Sequence, residues 1–168
     1  MGNYAIIVEG RTDSALIEAI LEVVWGYKLY ENVNDLPDIF KDLVGRYPTP
    51  KSLDNKQNSL RPNGFPIFYH SEDSEIVIKI ANGNNKIFST IRDTLEVIMA
   101  KSEDNNFGGF IVITDKDKYT EDEIRAAFKK KLQENKLSWN LDNNQLRNEY
   151  DEYSMLYLYA MPQNGMGQ

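Results

Sequence analysis

Acidic residues follow two of the most apolar stretches of the chain. Glu9 comes directly after the apolar residues 4–8. Asp115 and Asp117 come at the end of a second apolar stretch, residues 110–114. Magnesium takes hard oxygen ligands, which carboxylates provide, and in extended chain the side chains of Asp115 and Asp117 would point to the same side and contact one ion. The three acids are therefore candidate catalytic residues and candidate ligands of Mg²⁺ (or Mn²⁺).

Gly10 follows Glu9 and is a candidate phosphate-binding residue. Glycine lets the backbone turn sharply and leaves space next to the N-terminus of the helix that is expected to follow, where the helix dipole favours anions. In this arrangement the carboxylates bind the metal ion, and the metal ion binds the phosphate.

Each of these features also has a simpler structural explanation. A single Glu at a strand end is usually a solvated terminus. An Asp-x-Asp sequence is commonly part of a turn, and Asp117 could help to cap the next helix. Residues 82–85 (Asn-Gly-Asn-Asn) are typical of a plain turn, and residues 129–131 (Lys-Lys-Lys) are typical of a solvated helix face. The pattern gives His70 no catalytic role.

Apolar periodicity predicts strands that alternate with amphipathic helices. The predicted strands cover residues 4–8, 75–81, 110–114 and 155–161, and the predicted helices cover about residues 12–24, 86–101 and 120–132. This order is typical of an α/β domain with an open, mostly parallel sheet of about four core strands and helices on both faces. In such sheets ligands bind beyond the carboxyl ends of the strands, where Glu9 and Asp115 are expected.

We expect a single domain over residues 1–168, with an irregular insertion at about residues 27–74. Within the insertion, residues 35–44 predict a short helix. Residues 45–66 are rich in Pro, Asn, Ser and Lys and predict a long surface loop.

Composition limits the classes of function. The net charge of −7 suits nucleic-acid binding poorly unless bound cations reverse the local charge or a protein partner supplies a basic surface. Without cysteine there is no disulfide framework and no thiolate nucleophile. The apolar runs are shorter than a membrane span, and no basic segment of a secretion signal precedes the first strand. We therefore expect a cytoplasmic protein without a membrane segment.

Taken together, these motifs resemble the Toprim domain. The resemblance rests on Val-Glu-Gly-Arg-Thr-Asp at residues 8–13, an amphipathic helix, a strand with a glycine loop, and an apolar run that ends in Asp-x-Asp. Toprim domains are shared by topoisomerases, bacterial primases, small maturation ribonucleases and the overcoming-lysogenization-defect nucleases, and residues 8–13 look most similar to the nuclease branch. The resemblance covers residues 4–24 and 75 to about 132, and it implies a Toprim-like, Rossmann-like fold.

The resemblance also implies roles for individual residues. Glu9 matches the Toprim glutamate, which acts as general acid or base or completes the metal site. Asp115 and Asp117 match the paired aspartates that hold Mg²⁺. Asp13 matches a further acid of some nuclease-like members, and Gly83 matches a glycine near which phosphate or metal approaches. The implied function is a Mg²⁺- or Mn²⁺-dependent phosphodiester hydrolase that acts on DNA or RNA.

Two other interpretations remain. Toprim nucleases often carry a glutamate after the final strand, whereas residues 165–168 contain no acid, which implies a truncated sequence or an incomplete site. The chain would then be a non-catalytic metal- or nucleotide-binding regulatory module that works with a partner. A receiver-like phospho-acceptor domain is a poorer match, because it needs paired acids after the first strand, where this chain has Glu9 alone.

Overall fold

The structure is a computed structural model that describes residues 2–44, 66–100 and 106–162. The surface loop predicted for residues 45–66 falls almost wholly outside these ranges. The strands are β1 (Gly2–Val8), β2 (Lys28–Leu29), β3 (Ile67–His70), β4 (Ser74–Ile80), β5 (Phe107–Asp115), β6 (Ser138–Trp139), β7 (Gln145–Arg147) and β8 (Tyr153–Met161). The α-helices are α1 (Arg11–Ala19), α2 (Asp38–Val44), α3 (Ile87–Met99) and α4 (Glu121–Glu134).

The strands form one eight-stranded sheet in the order β2-β3-β4-β1-β5-β8-β7-β6. The pairs β4–β1, β1–β5 and β5–β8 are parallel. The remaining pairs are antiparallel. The prediction of an α/β chain with parallel strands is confirmed. The four strands predicted as the core of the sheet are its parallel strands β4, β1, β5 and β8. The prediction that the sheet is mostly parallel is wrong, because short antiparallel strands extend both of its edges.

The added strands come from the parts of the sequence with the weakest periodicity. β6 and β7 lie in a polar segment and have two and three residues, which is too short for alternation to be recognised. Trp139 of β6 is nevertheless fully buried, because it packs against Phe128 of α4 with ring centroids 5.8 Å apart. The insertion at about residues 27–74 supplies β2, α2 and β3, and both of its strands pair within the same sheet.

Alternate residues of β1 point to opposite faces of the sheet. Ala5 and Ile7 belong to a core cluster that contains the buried residues of α2, α3 and α4. Ile6 and Val8 belong to a second cluster on the other face, where Leu21 packs against them. Leu21 lies in a π-helical turn, Ile20–Val24, that continues α1. Helices therefore lie on both faces, as predicted.

No helix within the described residues is both long and apolar enough to cross a membrane.

Candidate active site

The ends of β1 and β5 lie side by side at one edge of the sheet. These strands are parallel neighbours, and Val8 pairs with Ile113. One residue further along this register, Glu9 comes level with Thr114, the residue before Asp115. Two of the predicted acids are therefore carried to the same edge by the pairing of these strands, as expected for the carboxyl ends of parallel strands.

Gly83 is held against the backbone of Glu9. The amide groups of Asn82 and Gly83 donate hydrogen bonds to the carbonyl oxygen of Glu9, at 3.0 and 3.2 Å. Gly83 has φ 138° and ψ 146°, a conformation that is essentially restricted to glycine. The turn after β4 therefore approaches the end of β1 closely, and this approach depends on a glycine at this position.

Asp115 and Asp117 do not share one extended segment. Asp115 is the last residue of β5 and pairs with Met161. The next amide, that of Lys116, still donates to the carbonyl oxygen of Met161 at 2.7 Å. Asp117 has φ 49°, so the strand geometry has ended before it. The condition under which both carboxylates would point to the same side of a strand is therefore not met.

The two aspartates nevertheless border the same cleft. Asp115 and Asp117 line a cleft of about 480 Å³ between the turn after β4, the end of β5, and α4. Glu123 of α4 adds a third carboxylate to its lining. Pockets of roughly 300–1,000 Å³ are the size that commonly binds small molecules. The cleft is therefore large enough for a ligand, and its acidic part lies at the carboxyl edge of the sheet.

The N-terminus of α4 determines the position of Glu123. Thr120 is the N-cap residue, and its Oγ1 accepts a hydrogen bond from the amide of Glu123 at 3.1 Å. The Glu123 side chain in turn accepts from the amide of Thr120 at 3.4 Å. Glu123 was not among the predicted site residues, although the Thr-x-x-Glu pattern of this capping box is recognisable at residues 120–123. Such a box just after a strand-end acid is the signal that would have found it.

Gly10 and Asp13 lie at the start of α1. Gly10 precedes the helix with φ −143° and ψ 179°, an extended conformation that any residue adopts, and a Cβ added there would have nothing within 4 Å. The chain bends at Glu9 and Gly10 and leaves open space there, but the conformation of Gly10 does not require a glycine. Asp13 lies in the first turn of α1. Unlike Asp115 and Asp117, neither Gly10, Asp13 nor Glu9 lines the cleft.

The acids of this site must be able to bind a divalent cation if the predicted chemistry is to occur here. Among the described residues, no group of three His, Cys, Asp or Glu side chains is arranged to hold a metal ion. Mg²⁺ is usually bound by one or two carboxylates together with water and substrate phosphates, so a ready-made cage of protein ligands is not required. Asp115 and Asp117, which line one cleft, fit this requirement chemically.

Comparisons with known proteins add a likeness in fold. No protein-family model matches the chain, and no curated protein matches it significantly. The structure is similar to the crystal structure of hypothetical protein PH0156 from Pyrococcus horikoshii OT3, with a TM-score of 0.60 and 19% sequence identity. The match covers 100% of this chain and 59% of that protein. At this identity the likeness concerns the fold alone.

Proposed function

We propose that the chain is a Toprim-like, Mg²⁺- or Mn²⁺-dependent phosphodiester hydrolase that acts on nucleic acid in the cytoplasm. The observation that carries this proposal is the pairing of Val8 with Ile113, because it brings Glu9 and the end of β5, where Asp115 lies, to one edge of the sheet. The cleft next to Asp115 supports the proposal, because it offers room for a ligand beside the acids.

Asp115 and Asp117 would hold the divalent cation. They line the same cleft, and carboxylate oxygens are suitable ligands for Mg²⁺ and Mn²⁺. When bound, the cation would polarise the scissile phosphate and lower the pKa of a bound water molecule. The protein has a net charge of −7, and the acids at this edge of the sheet would repel the phosphate groups of a nucleic acid. The bound cation would offset this negative charge.

Glu9 would transfer a proton. The residue is partly buried, and its backbone carbonyl accepts hydrogen bonds from the amides of Asn82 and Gly83. A fixed backbone favours general acid–base catalysis, because the catalytic group must be held within reach of the proton that it moves. Glu9 does not line the cleft. We therefore assign to it proton transfer at the carboxyl edge of the sheet, and no part in binding the ligand inside the cleft.

Metal-dependent cleavage tests this proposal. Labelled single- and double-stranded DNA and RNA are incubated with the protein in Mg²⁺, in Mn²⁺ and in excess chelator. We expect the wild-type protein to cleave only when the metal is present, and the metal to increase its melting temperature. Asp115→Asn should abolish both the cleavage and this increase in melting temperature. Asp142→Asn is the matched control, because Asp142 is exposed in a turn between β6 and β7 and does not line the cleft. Cleavage by Asp115→Asn at the wild-type rate would contradict the assignment.

A second candidate is a regulatory module that binds a metal ion or nucleotide without turnover and works with a protein partner. It is favoured by the net charge of −7, which suits nucleic-acid binding poorly unless a partner supplies a basic surface. A chain that is stabilised by Mn²⁺ but cleaves none of the four substrates would support this candidate over the hydrolase.

A further inference from the structure

We propose that the cleft beside Asp115 accepts one unstacked nucleobase, so that the substrate is a single-stranded or terminal nucleotide rather than an intact duplex. This inference rests on the proposed function, because the proposed metal ion determines where the phosphate binds. The contacts with the base are argued separately, from the residues that line the cleft. The lining of the cleft combines three carboxylates and Lys131 with the apolar side chains of α3 and α4, which matches a ligand that carries both a phosphate and a planar ring.

The apolar wall is rigid. Phe88 of α3 and Phe128 of α4 both line the cleft and are only 6% and 5% exposed, with ring centroids 4.7 Å apart. Phe128 also packs edge-to-face against Trp139, so its ring is held from behind. Ile124 and Ala127 complete this wall on the same side of α4. A wall that is already packed loses little conformational entropy when a flat ring is placed against it.

Polar groups at the cleft can recognise the edge of a base. Asn84 and Asn85 are exposed and line the cleft, and their side-chain amides can each donate and accept hydrogen bonds. Tyr119 also lines the cleft, is 49% exposed, and offers a ring for stacking. Unpaired bases are recognised by this combination of stacking and hydrogen bonding at their edges.

The dimensions of the cleft suit one nucleotide. The lining residues of α4 run from Glu123 to Lys131, which corresponds to a length of about 12 Å at 1.5 Å per residue. A base in a duplex cannot enter such a cleft, because its faces and its pairing edge are covered until it leaves the stack. The ligand class that fits is therefore a nucleotide at a chain end, in a single strand, or free as a nucleoside monophosphate.

Calorimetric titration tests the base-binding cleft directly. The protein in Mg²⁺ is titrated with the adenosine, cytidine, guanosine and uridine monophosphates, and with ribose 5-phosphate, which lacks a base. We expect at least one nucleotide to bind at least about tenfold more tightly than ribose 5-phosphate, a difference of about 1.4 kcal/mol. Equal binding of all these ligands, or binding of none, would overturn the inference.

Two alanines of α4 provide the variant and its control. Ala127 and Ala126 are both exposed, but only Ala127 lines the cleft. Ala127→Trp should fill the apolar part of the cleft and remove the preference for nucleotides over ribose 5-phosphate, whereas Ala126→Trp should keep this preference. If Ala127→Trp fails to fold, Asn84→Ala serves instead, with a smaller expected loss of the same preference. A preference that survives in a folded Ala127→Trp protein would contradict the assignment.

Cleavage assays separate this inference from the proposed function. We expect single strands to be cut at least about tenfold faster than the matching duplex, and Ala127→Trp to lose this cleavage while it keeps the thermal stabilisation by Mg²⁺. Equal cutting of single strands and duplex by wild-type protein would overturn the inference and leave the hydrolase intact. Base-dependent binding without any cleavage would contradict the proposed hydrolase and leave the base-binding cleft intact.

Discussion

Val8 and Ile113 are partners on two neighbouring parallel strands, and the candidate site follows from this pairing. In this register Glu9 comes level with Thr114 and Asp115 lies one residue further along β5, so both acids reach the same edge of the sheet. Val8 is fully buried and packs in the cluster that contains Leu21. The same pairing is the starting point for a prediction about Glu9.

Glu9→Gln should remove turnover but keep cation binding. The amide is similar in shape to the carboxylate but cannot accept a proton, and loss of a general acid or base lowers rates by roughly 10² to 10⁴-fold. Asp115 and Asp117 remain, so the increase in melting temperature on adding Mn²⁺ should persist. The measurements are the rate of single-strand cleavage and the melting temperature with and without metal.

Glu31→Gln is the matched control for Glu9→Gln, because Glu31 is exposed and follows the edge strand β2. It should cleave as the wild type does. If Glu9→Gln also cleaved at the wild-type rate, Glu9 would have no part in proton transfer.

Gly83→Ala should destabilise the fold, whereas Gly10→Ala should not. Gly83 has φ 138°, which costs a residue with a side chain about 1 to 3 kcal/mol. Gly10 has φ −143° and open space around the added Cβ, so alanine there should leave the free energy of unfolding unchanged or raise it by up to about 1 kcal/mol. Urea denaturation of both variants measures the difference, and equal stabilities would show that the turn after β4 tolerates a side chain.

Thr94→Val should destabilise the protein through a buried lysine. The Lys79 ammonium donates to Thr94 Oγ1 at 2.8 Å, and both residues are buried, at 6% and 0% exposure. Valine has a similar shape but no acceptor, and hydrogen bonds to charged groups contribute about 1.5 to 3 kcal/mol. Urea denaturation should show a lower free energy of unfolding by about this amount.

Thr90→Val is the control for Thr94→Val. Thr90 lies on the same helix, is partly exposed, and donates a hydrogen bond to the backbone carbonyl of Lys86 at 2.7 Å. Its replacement should change the free energy of unfolding by no more than about 0.5 kcal/mol. If both variants lost a similar amount of unfolding free energy, the cause would be the change from threonine to valine in α3 and not the loss of the hydrogen bond with Lys79.

Tyr30 should make the stability depend on alkaline pH. Burial, and then its hydrogen bond to Glu75 at 3.0 Å, raise the pKa of the Tyr30 hydroxyl well above its usual value of 10.0. The folded state therefore holds this proton more tightly than the unfolded chain does. The resulting stabilisation is fully present below pH 10 and is lost as the pH rises through the raised pKa.

The variant Tyr30→Phe isolates this effect. Urea denaturation of both proteins is measured from about pH 8 to about pH 11, on both sides of the usual tyrosine pKa. The stability advantage of the wild type over Tyr30→Phe should be constant at the lower pH values and should shrink at the higher ones. An advantage that stays constant over the whole range would show that the proton on Tyr30 is not held more tightly in the folded state.

The sequence by itself determined the parallel strands of the sheet and the helices α3 and α4, because long runs with clear periodicity specify local structure. It also predicted which acids end those strands. Only the tertiary structure decided that β2, β6 and β7 join the sheet, since strands this short are stabilised by pairing and by buried residues such as Trp139 rather than by local preference. Likewise, the positive φ of Asp117 and the arrival of Glu123 at the same cleft depend on how the β5–α4 connection packs, which no local pattern specifies.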